Sequence, residues 1–194
     1  MRMDPTQAVT AADVVNDYNT SELERVIRRY GQERFAHRVA RAIVDARPIR
    51  TTTELAKVVK TAIPAATRRS GGHPARRTFQ ALRIEVNQEL RALEQALPQA
   101  IDALEAGGRA AVISYHSLED RIVKTYFASE ARGCICPGDW PVCRCGAGAR
   151  IRLLTRRPLR PSPREIEANP RVRSARLRAV ERLDRVTDAE SKTA

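Results

Sequence analysis

The first third of the chain has apolar residues at helical spacing and no strand-like alternation of apolar and polar positions. Because residues three and four positions apart lie on the same face of a helix, this pattern predicts short amphipathic helices. Ser21 with Glu24 and Thr51 with Glu54 have the spacing of a capping box, and Gly31 suits a helix end. The predicted helices span residues 11–18, 21–30, 32–47 and 51–62, and Pro48 and Pro64 follow the last two.

The pattern changes after residue 72, where a long helix, a glycine turn and a short apolar run follow one another. The helix starts near residue 75. Pro98 has no N–H to donate and predicts a kink or the start of a second helix. Gly107 and Gly108 precede the apolar run 110–113, which predicts a buried strand covered on both faces by helices. Another amphipathic helix follows, with Ser117 as its predicted N-cap.

Two further strands are predicted near the end of the chain. Residues 150–155 alternate arginine with apolar residues, which predicts a strand with one buried face. Residues 158–170 contain four prolines and predict a loop with a short helix at 163–168. Residues 174–183 fit either a strand or a helix.

Together these elements predict an α/β chain made of two parts. Residues 1–72 form a helical subdomain, and residues 73–186 form an α/β part that contains a Cys-rich loop at 132–148. Residues 187–194 are a polar tail.

Polar residues crowd the carboxyl end of the predicted strand 110–113. Ser114, His116 and Ser117 follow it directly, in the sequence Ser-Tyr-His-Ser. In open α/β sheets, ligands bind outside the carboxyl ends of the strands, so these three are candidate catalytic residues lining a pocket. The alternative is structural: a strand end, a capped helix and a histidine with satisfied hydrogen bonds.

The chain is strongly basic, with 35 lysines and arginines against 23 acidic residues and a net charge of +12. This balance favours a nucleic-acid partner, because neutralising phosphates releases counterions. An arginine-rich proteome would produce the same excess without a function. The linker around residues 68–77 either contacts phosphates or is a solvated hinge. The candidate RNA-binding residues are Arg68, Arg69, His73, Arg76, Arg77 and Arg83.

Four cysteines, Cys134, Cys136, Cys143 and Cys145, form two Cys-x-Cys pairs in one short segment. Four thiolates around a tetrahedral centre suit zinc, and a set of unligated thiols in a loop is the alternative. No apolar run approaches the roughly 20 residues of a membrane span, and no signal-peptide core is evident. A cytoplasmic location without a membrane partner is therefore expected, where thiols stay reduced.

Several unusual runs of residues resemble one known family. HPA, RTFQALRI, VN and EL lie between residues 73 and 90, and HSLEDRIVK spans residues 116–124. MRMDP opens the chain, and YGQERFA, NPR and RLRAVER lie at 30–36, 169–171 and 176–182. In these runs the chain resembles 16S rRNA (cytosine-N4)-methyltransferases of the MraW type over almost its whole length.

The resemblance implies a class I, Rossmann-like methyltransferase sheet with a helical insertion. It also implies that S-adenosyl-L-methionine donates a methyl group to the amino group of cytosine 1402 in the 16S rRNA of the small ribosomal subunit. Residues 1–72 would be the insertion, and the antiparallel pair that ends such sheets favours a strand at 174–183.

The chain departs from the family at the cofactor site. Methyltransferases of this class begin with a strand and a glycine-rich turn, and none of the nine glycines forms that pattern. The chain therefore resembles the carboxyl-terminal part of a member, and its cofactor-binding residues are not predicted. Two functions stay open: part of a methyltransferase, inactive alone, or a non-catalytic basic RNA-binding module with a Cys-rich metal loop. An open sheet edge predicts poor solubility or self-association.

Overall fold

The computed structural model describes residues 1–68, 72–132, 136 and 148–184. The chain divides into two compact units, Met1–Glu89 and Leu90–Ala194, each with its own apolar core. The fold is mixed α/β, as predicted, with helices in the first unit and a three-stranded sheet in the second. The assignment of residues 1–72 to a helical insertion and of 73–186 to a methyltransferase part stays a prediction.

The first unit consists of helices around one apolar core. Leu23, Ile27, Val39, Ile43 and Leu82 are completely buried in it, as expected for apolar residues at helical spacing. The helices are α1 (Ala11–Asp17), α2 (Thr20–Gly31), α3 (Ala36–Asp45), α4 (Thr52–Ala62), α5 (Ala65–Arg68) and α6 (Arg76–Asn87).

Capping boxes begin α2 and α4, but only one of them uses the predicted residues. Thr51 and Glu54 cap α4 as predicted, and the Thr51 hydroxyl accepts from the Glu54 N–H at 3.1 Å. At α2 the predicted pair of Ser21 and Glu24 is wrong. The helix begins earlier, and Asn19 and Glu22 form its capping box at 2.8 and 3.0 Å.

The helix α2 ends at Gly31, as predicted, but Gly31 is not the residue in the left-handed conformation. Gln32 takes that conformation, with φ of 50°, and the next helix starts only at Ala36. Gly31 is the last helical residue and is buried against α6, where an added Cβ would lie 2.7 Å from the Arg77 carbonyl oxygen. The glycine is therefore required for close packing of the two helices.

The long helix predicted from residue 75 is broken at Gln88 and not at Pro98. Gln88 is left-handed, with φ of 51°, and α7 (Glu89–Asp102) continues through Pro98 without a new helix starting there. Arg83 donates to the Glu89 carboxylate at 2.7 and 2.9 Å and so joins the two sides of the break.

The second unit contains the strands, and their predicted positions are confirmed. The described strands form one sheet in the order β1-β3-β2, with both pairings antiparallel. The segment that fitted a strand or a helix is a strand, and the short helix at 163–168 is present. The elements after α7 are β1 (Arg109–Ser114), α8 (Ser117–Arg132), β2 (Ile151–Leu153), α9 (Pro163–Ala168), a 3₁₀ helix (Pro170–Ser174) and β3 (Arg176–Arg182).

The prediction that β1 is covered on both faces is wrong for the described residues. Val112 packs in the core with α7 and α8, whereas Ala111 and Ile113 on the opposite face are exposed, Ile113 to 55%. An antiparallel sheet tolerates one solvated face, which a run of apolar residues does not reveal. Within the described residues β1 pairs only with β3 and has no parallel neighbour.

Candidate functional site at the end of β1

The turn between β1 and α8 is held in place by the first turn of the helix. One oxygen of the Glu119 carboxylate accepts hydrogen bonds from the backbone N–H groups of Tyr115 at 2.8 Å and His116 at 3.1 Å. An acidic group is favourable at this position, because it lies at the positive end of the helix dipole. The turn is therefore held to the start of α8 by two hydrogen bonds.

His116 is the residue that caps α8, and the prediction that Ser117 does so is wrong. The His116 Nδ1 accepts from the Glu119 N–H at 3.3 Å, and the His116 carbonyl accepts from Asp120 at 3.2 Å. Ser117 is already the first helical residue, so its side chain is not at the N-cap position. His116 and Glu119 thus form a capping box with histidine in place of serine or threonine.

This cap indicates which tautomer the neutral His116 ring adopts. Because Nδ1 accepts a hydrogen bond, the proton of the neutral imidazole lies on Nε2, which is 3.3 Å from the other oxygen of Glu119. The His116 side chain is only 10% exposed. The ring is therefore oriented and partly buried, and Nδ1 is not available as a general base.

Ser114 is buried at the end of β1, where its hydroxyl donates to the Arg176 carbonyl oxygen of β3 at 3.4 Å. Ser117 is half-buried at the start of α8. The three predicted site residues thus come from adjacent positions around one turn, and Ser114 and His116 have hydrogen bonds within the second unit. Their assignment as catalytic residues stays a prediction.

A buried ion cluster supports the same turn, and the sequence analysis missed it. Asp120 accepts from Arg176 at 2.7 Å and from Arg178 at 2.7 and 3.3 Å. Burial raises the pKa of Asp120, but the hydrogen bonds from Arg178 and Arg176 outweigh it and lower the pKa below its usual value. Arg176 and Arg178 are two positions apart and so lie on one face of β3, but this spacing does not identify Asp120 as their partner.

The predicted RNA-binding residues differ in what they contact. Arg83 is paired with Glu89, and Arg77 lies 3.7 Å from the buried carboxylate of Glu33. His73 is exposed, and its Nδ1 accepts from a backbone N–H at 3.2 Å. Arg76 is exposed at the start of α6, and the Arg68 side chain and Arg69 lie outside the described residues. Their role in RNA binding stays a prediction.

The predicted zinc ligands lie almost entirely outside the described residues. Cys134, Cys143 and Cys145 are not described, and Cys136 is half-buried. The four-sulfur centre therefore stays a prediction. Within the described ranges, no helix combines the length and the apolar character that crossing a membrane requires.

Comparisons with known proteins identify the family. The model of the MraW methylase family matches residues 1–183. "Ribosomal RNA small subunit methyltransferase H" of Heliobacterium modesticaldum is 55% identical over 186 residues, which cover 94% of this chain and 59% of the relative. The protein with this name from Symbiobacterium thermophilum is 55% identical, and the match covers 98% of this chain and 61% of the relative. The one from Dehalococcoides mccartyi is 54% identical, and the match covers 94% of this chain and 52% of the relative. The chain thus spans between half and about three fifths of these curated relatives, and it belongs to the MraW methylase family.

Proposed function

We propose that this chain is the carboxyl-terminal part of an S-adenosyl-L-methionine-dependent methyltransferase that modifies the N4 amino group of cytosine 1402 in 16S rRNA. The family match over residues 1–183 carries the proposal, and relatives at about 55% identity are named as methyltransferases of small-subunit rRNA. Such an enzyme would act on the small ribosomal subunit in the cytoplasm.

The described residues do not include a glycine-rich turn after a strand that would hold the cofactor. Gly107 and Gly108 come before β1, and the polar sequence of residues 114–117 comes after it. S-adenosyl-L-methionine supplies an electrophilic methyl group when it is bound. We assign its binding residues to the part of the relatives that this chain does not match.

In this proposal the turn after β1 contributes positioning. Moving a methyl group to an amino nitrogen requires that nitrogen to be held in line with the methyl donor, and orientation supplies much of the rate. The hydrogen bonds that Glu119 accepts and the ion pairs of Asp120 hold the backbone around Ser114, His116 and Ser117. A target base must leave its stack to reach such a site, and the exposed Tyr115 offers an aromatic face beside it.

A chimeric enzyme tests the proposal. In the Symbiobacterium thermophilum relative, the region that aligns with this chain is replaced by this chain, and methyl transfer to small ribosomal subunits is measured with labelled S-adenosyl-L-methionine. We expect transfer by the chimera and none by the isolated chain. A chimera that folds and binds the cofactor but transfers no methyl group would contradict the proposal.

A non-catalytic RNA-binding module is the second candidate, and the net charge of +12 favours it. Calorimetry with S-adenosyl-L-methionine and titration with small ribosomal subunits at two salt concentrations separate the candidates. Binding of ribosomal subunits by the isolated chain together with an inactive chimera would favour the module.

A further inference from the structure

The loop between β2 and β3 carries several positive charges that no other described residue neutralises. We call residues 156–174 the basic loop. It contains six arginines and two glutamates, a net charge of +4 in 19 residues. All six arginines are exposed, and none forms an ion pair with another described residue. They are Arg156, Arg157, Arg160, Arg164, Arg171 and Arg173.

The basic loop is anchored to the sheet near both of its ends. Leu159 and Leu177 exchange two backbone hydrogen bonds of 2.9 Å, which forms an antiparallel bridge beyond β2. The Thr155 hydroxyl accepts from the Ala179 N–H at 2.9 Å, immediately before the loop. Prolines further restrict the backbone inside it. The arginines are therefore displayed on a closed loop with a defined shape.

Local hydrogen bonds inside the loop engage Glu165 and leave the arginines exposed. The Glu165 carboxylate accepts from the Ser162 N–H at 2.7 Å and from the Ser162 hydroxyl at 3.0 Å, as the acidic partner of the α9 capping box. Asn169 caps the 3₁₀ helix by accepting from the Arg171 N–H at 3.2 Å. These hydrogen bonds use the Glu165 carboxylate and the Asn169 side chain, and none of them involves a guanidinium group.

Arginines close to the basic loop differ from those on it, because they form ion pairs. Arg176 and Arg178, just past the loop, are committed to Asp120, and Arg152 on β2 pairs with Glu181. Among the described residues of this unit, the arginines that form ion pairs lie in the strands or directly beside them. The six on the basic loop are exposed and have no acidic partner among the described residues, so they are available to an external polyanion.

We propose that the basic loop is an RNA-binding surface that contacts phosphates of ribosomal RNA through these six arginines. The basic loop contains none of the candidate RNA-binding residues between Arg68 and Arg83. The choice of RNA as the polyanion rests on the proposed function. Guanidinium groups bind phosphate oxygens with two parallel hydrogen bonds, and such contacts orient a protein on RNA without reading its sequence.

The test compares two variants that lose the same charge. The loop variant carries R156Q, R160Q, R164Q and R171Q. The control variant carries R25Q, R38Q, R50Q and R91Q, which are exposed arginines without an ion pair to another described residue. Binding of each full chain to a transcript of the 16S decoding region is measured by fluorescence anisotropy over a series of KCl concentrations.

We expect the loop variant to bind at least about tenfold more weakly at low salt, with the slope of log affinity against log salt reduced by about 3. The control variant should retain most of the affinity and slope. Equal losses in both variants would overturn the proposal, because net charge alone would then explain the binding. An unchanged loop variant, or a loop that binds anionic phospholipid vesicles and not RNA, would also overturn it.

This test is distinguishable from that of the proposed function. RNA binding that depends on the basic loop would stand even if the chimera transferred no methyl group. Conversely, the chimera could be active while its RNA affinity does not change when the loop arginines are replaced. That result would support the proposed function and overturn the proposal for the basic loop. Circular dichroism of both variants confirms that each remains folded.

Discussion

Replacing Asp120 is the sharpest perturbation of the second unit. The Asp120→Asn variant keeps the shape of the side chain but removes the negative charge from beside Arg178, whose side chain is 9% exposed. Removing one partner of a buried ion pair costs about 3–5 kcal/mol, because the remaining charge is left uncompensated. Arg176 is one-third exposed and keeps some access to water. We therefore expect a loss near the lower limit, about 3 kcal/mol.

Native-state hydrogen exchange measures this loss where it occurs. Amides of β3 report the opening of the second unit, because exchange from a core strand follows the stability of the cooperative unit around it. Glu167→Gln is the control, since Glu167 is exposed and forms no ion pair with the rest of the described chain, so a change within about 0.5 kcal/mol is expected. A loss below about 1 kcal/mol for Asp120→Asn would refute the assignment of Asp120 as a buried partner of both arginines.

The same cluster predicts a pH dependence with a definite sign. Hydrogen bonds from Arg178 and Arg176 keep the pKa of Asp120 below its usual 3.8 despite burial, so the unfolded chain binds this proton more readily than the folded one. The stabilisation is present above pH 3.8 and is lost as the pH falls through the folded pKa. Asp120→Asn should remove this part of the acid sensitivity, and a variant with an unchanged pH profile would contradict the assignment.

Three further predictions concern other parts of the chain. Gly31→Ala should destabilise the first unit by about 1–3 kcal/mol in urea unfolding, because its Cβ would meet the Arg77 carbonyl at 2.7 Å. Gly148→Ala should be nearly neutral, because its added Cβ would meet no described atom within 4 Å. Ile113→Lys should reduce the predicted self-association, because it places a charge on the exposed face of β1. Light scattering measures the mass of the particles in solution, and an unchanged mass would exclude this face as the contact between copies of the chain. Metal analysis after chelator-free purification should find about one zinc per chain, and less than about a tenth of an equivalent would reject the Cys134–Cys145 site.

The elements of the chain that depend on local pattern could be predicted from the sequence. The alternation in residues 150–155 and the glycine pair before β1 mark strands in the right places. The start of α2 was misplaced because Asn19 with Glu22 and Ser21 with Glu24 both satisfy the capping-box pattern. The break at Gln88 was missed because glycine, and not glutamine, is the usual residue for a left-handed helix end.

Features that depend on tertiary contacts could not be read from the sequence. Asp120 lies 56 and 58 residues from its two arginine partners, and no local pattern links them. The exposed face of β1 has the same apolar residues as a buried one, so only the positions of the helices distinguish them. His116 was identified as a candidate site residue, but its role as the cap of α8 depends on side-chain geometry.

The central claim is that this chain completes a methyltransferase acting on one cytosine of 16S rRNA. The most direct measurement is mass spectrometry of 16S rRNA from a bacterium that lacks its own enzyme and expresses the Symbiobacterium chimera. We predict a methyl group on N4 of cytosine 1402, and its loss when the chimera is withheld. A folded, cofactor-binding chimera that leaves this cytosine unmodified would contradict the account.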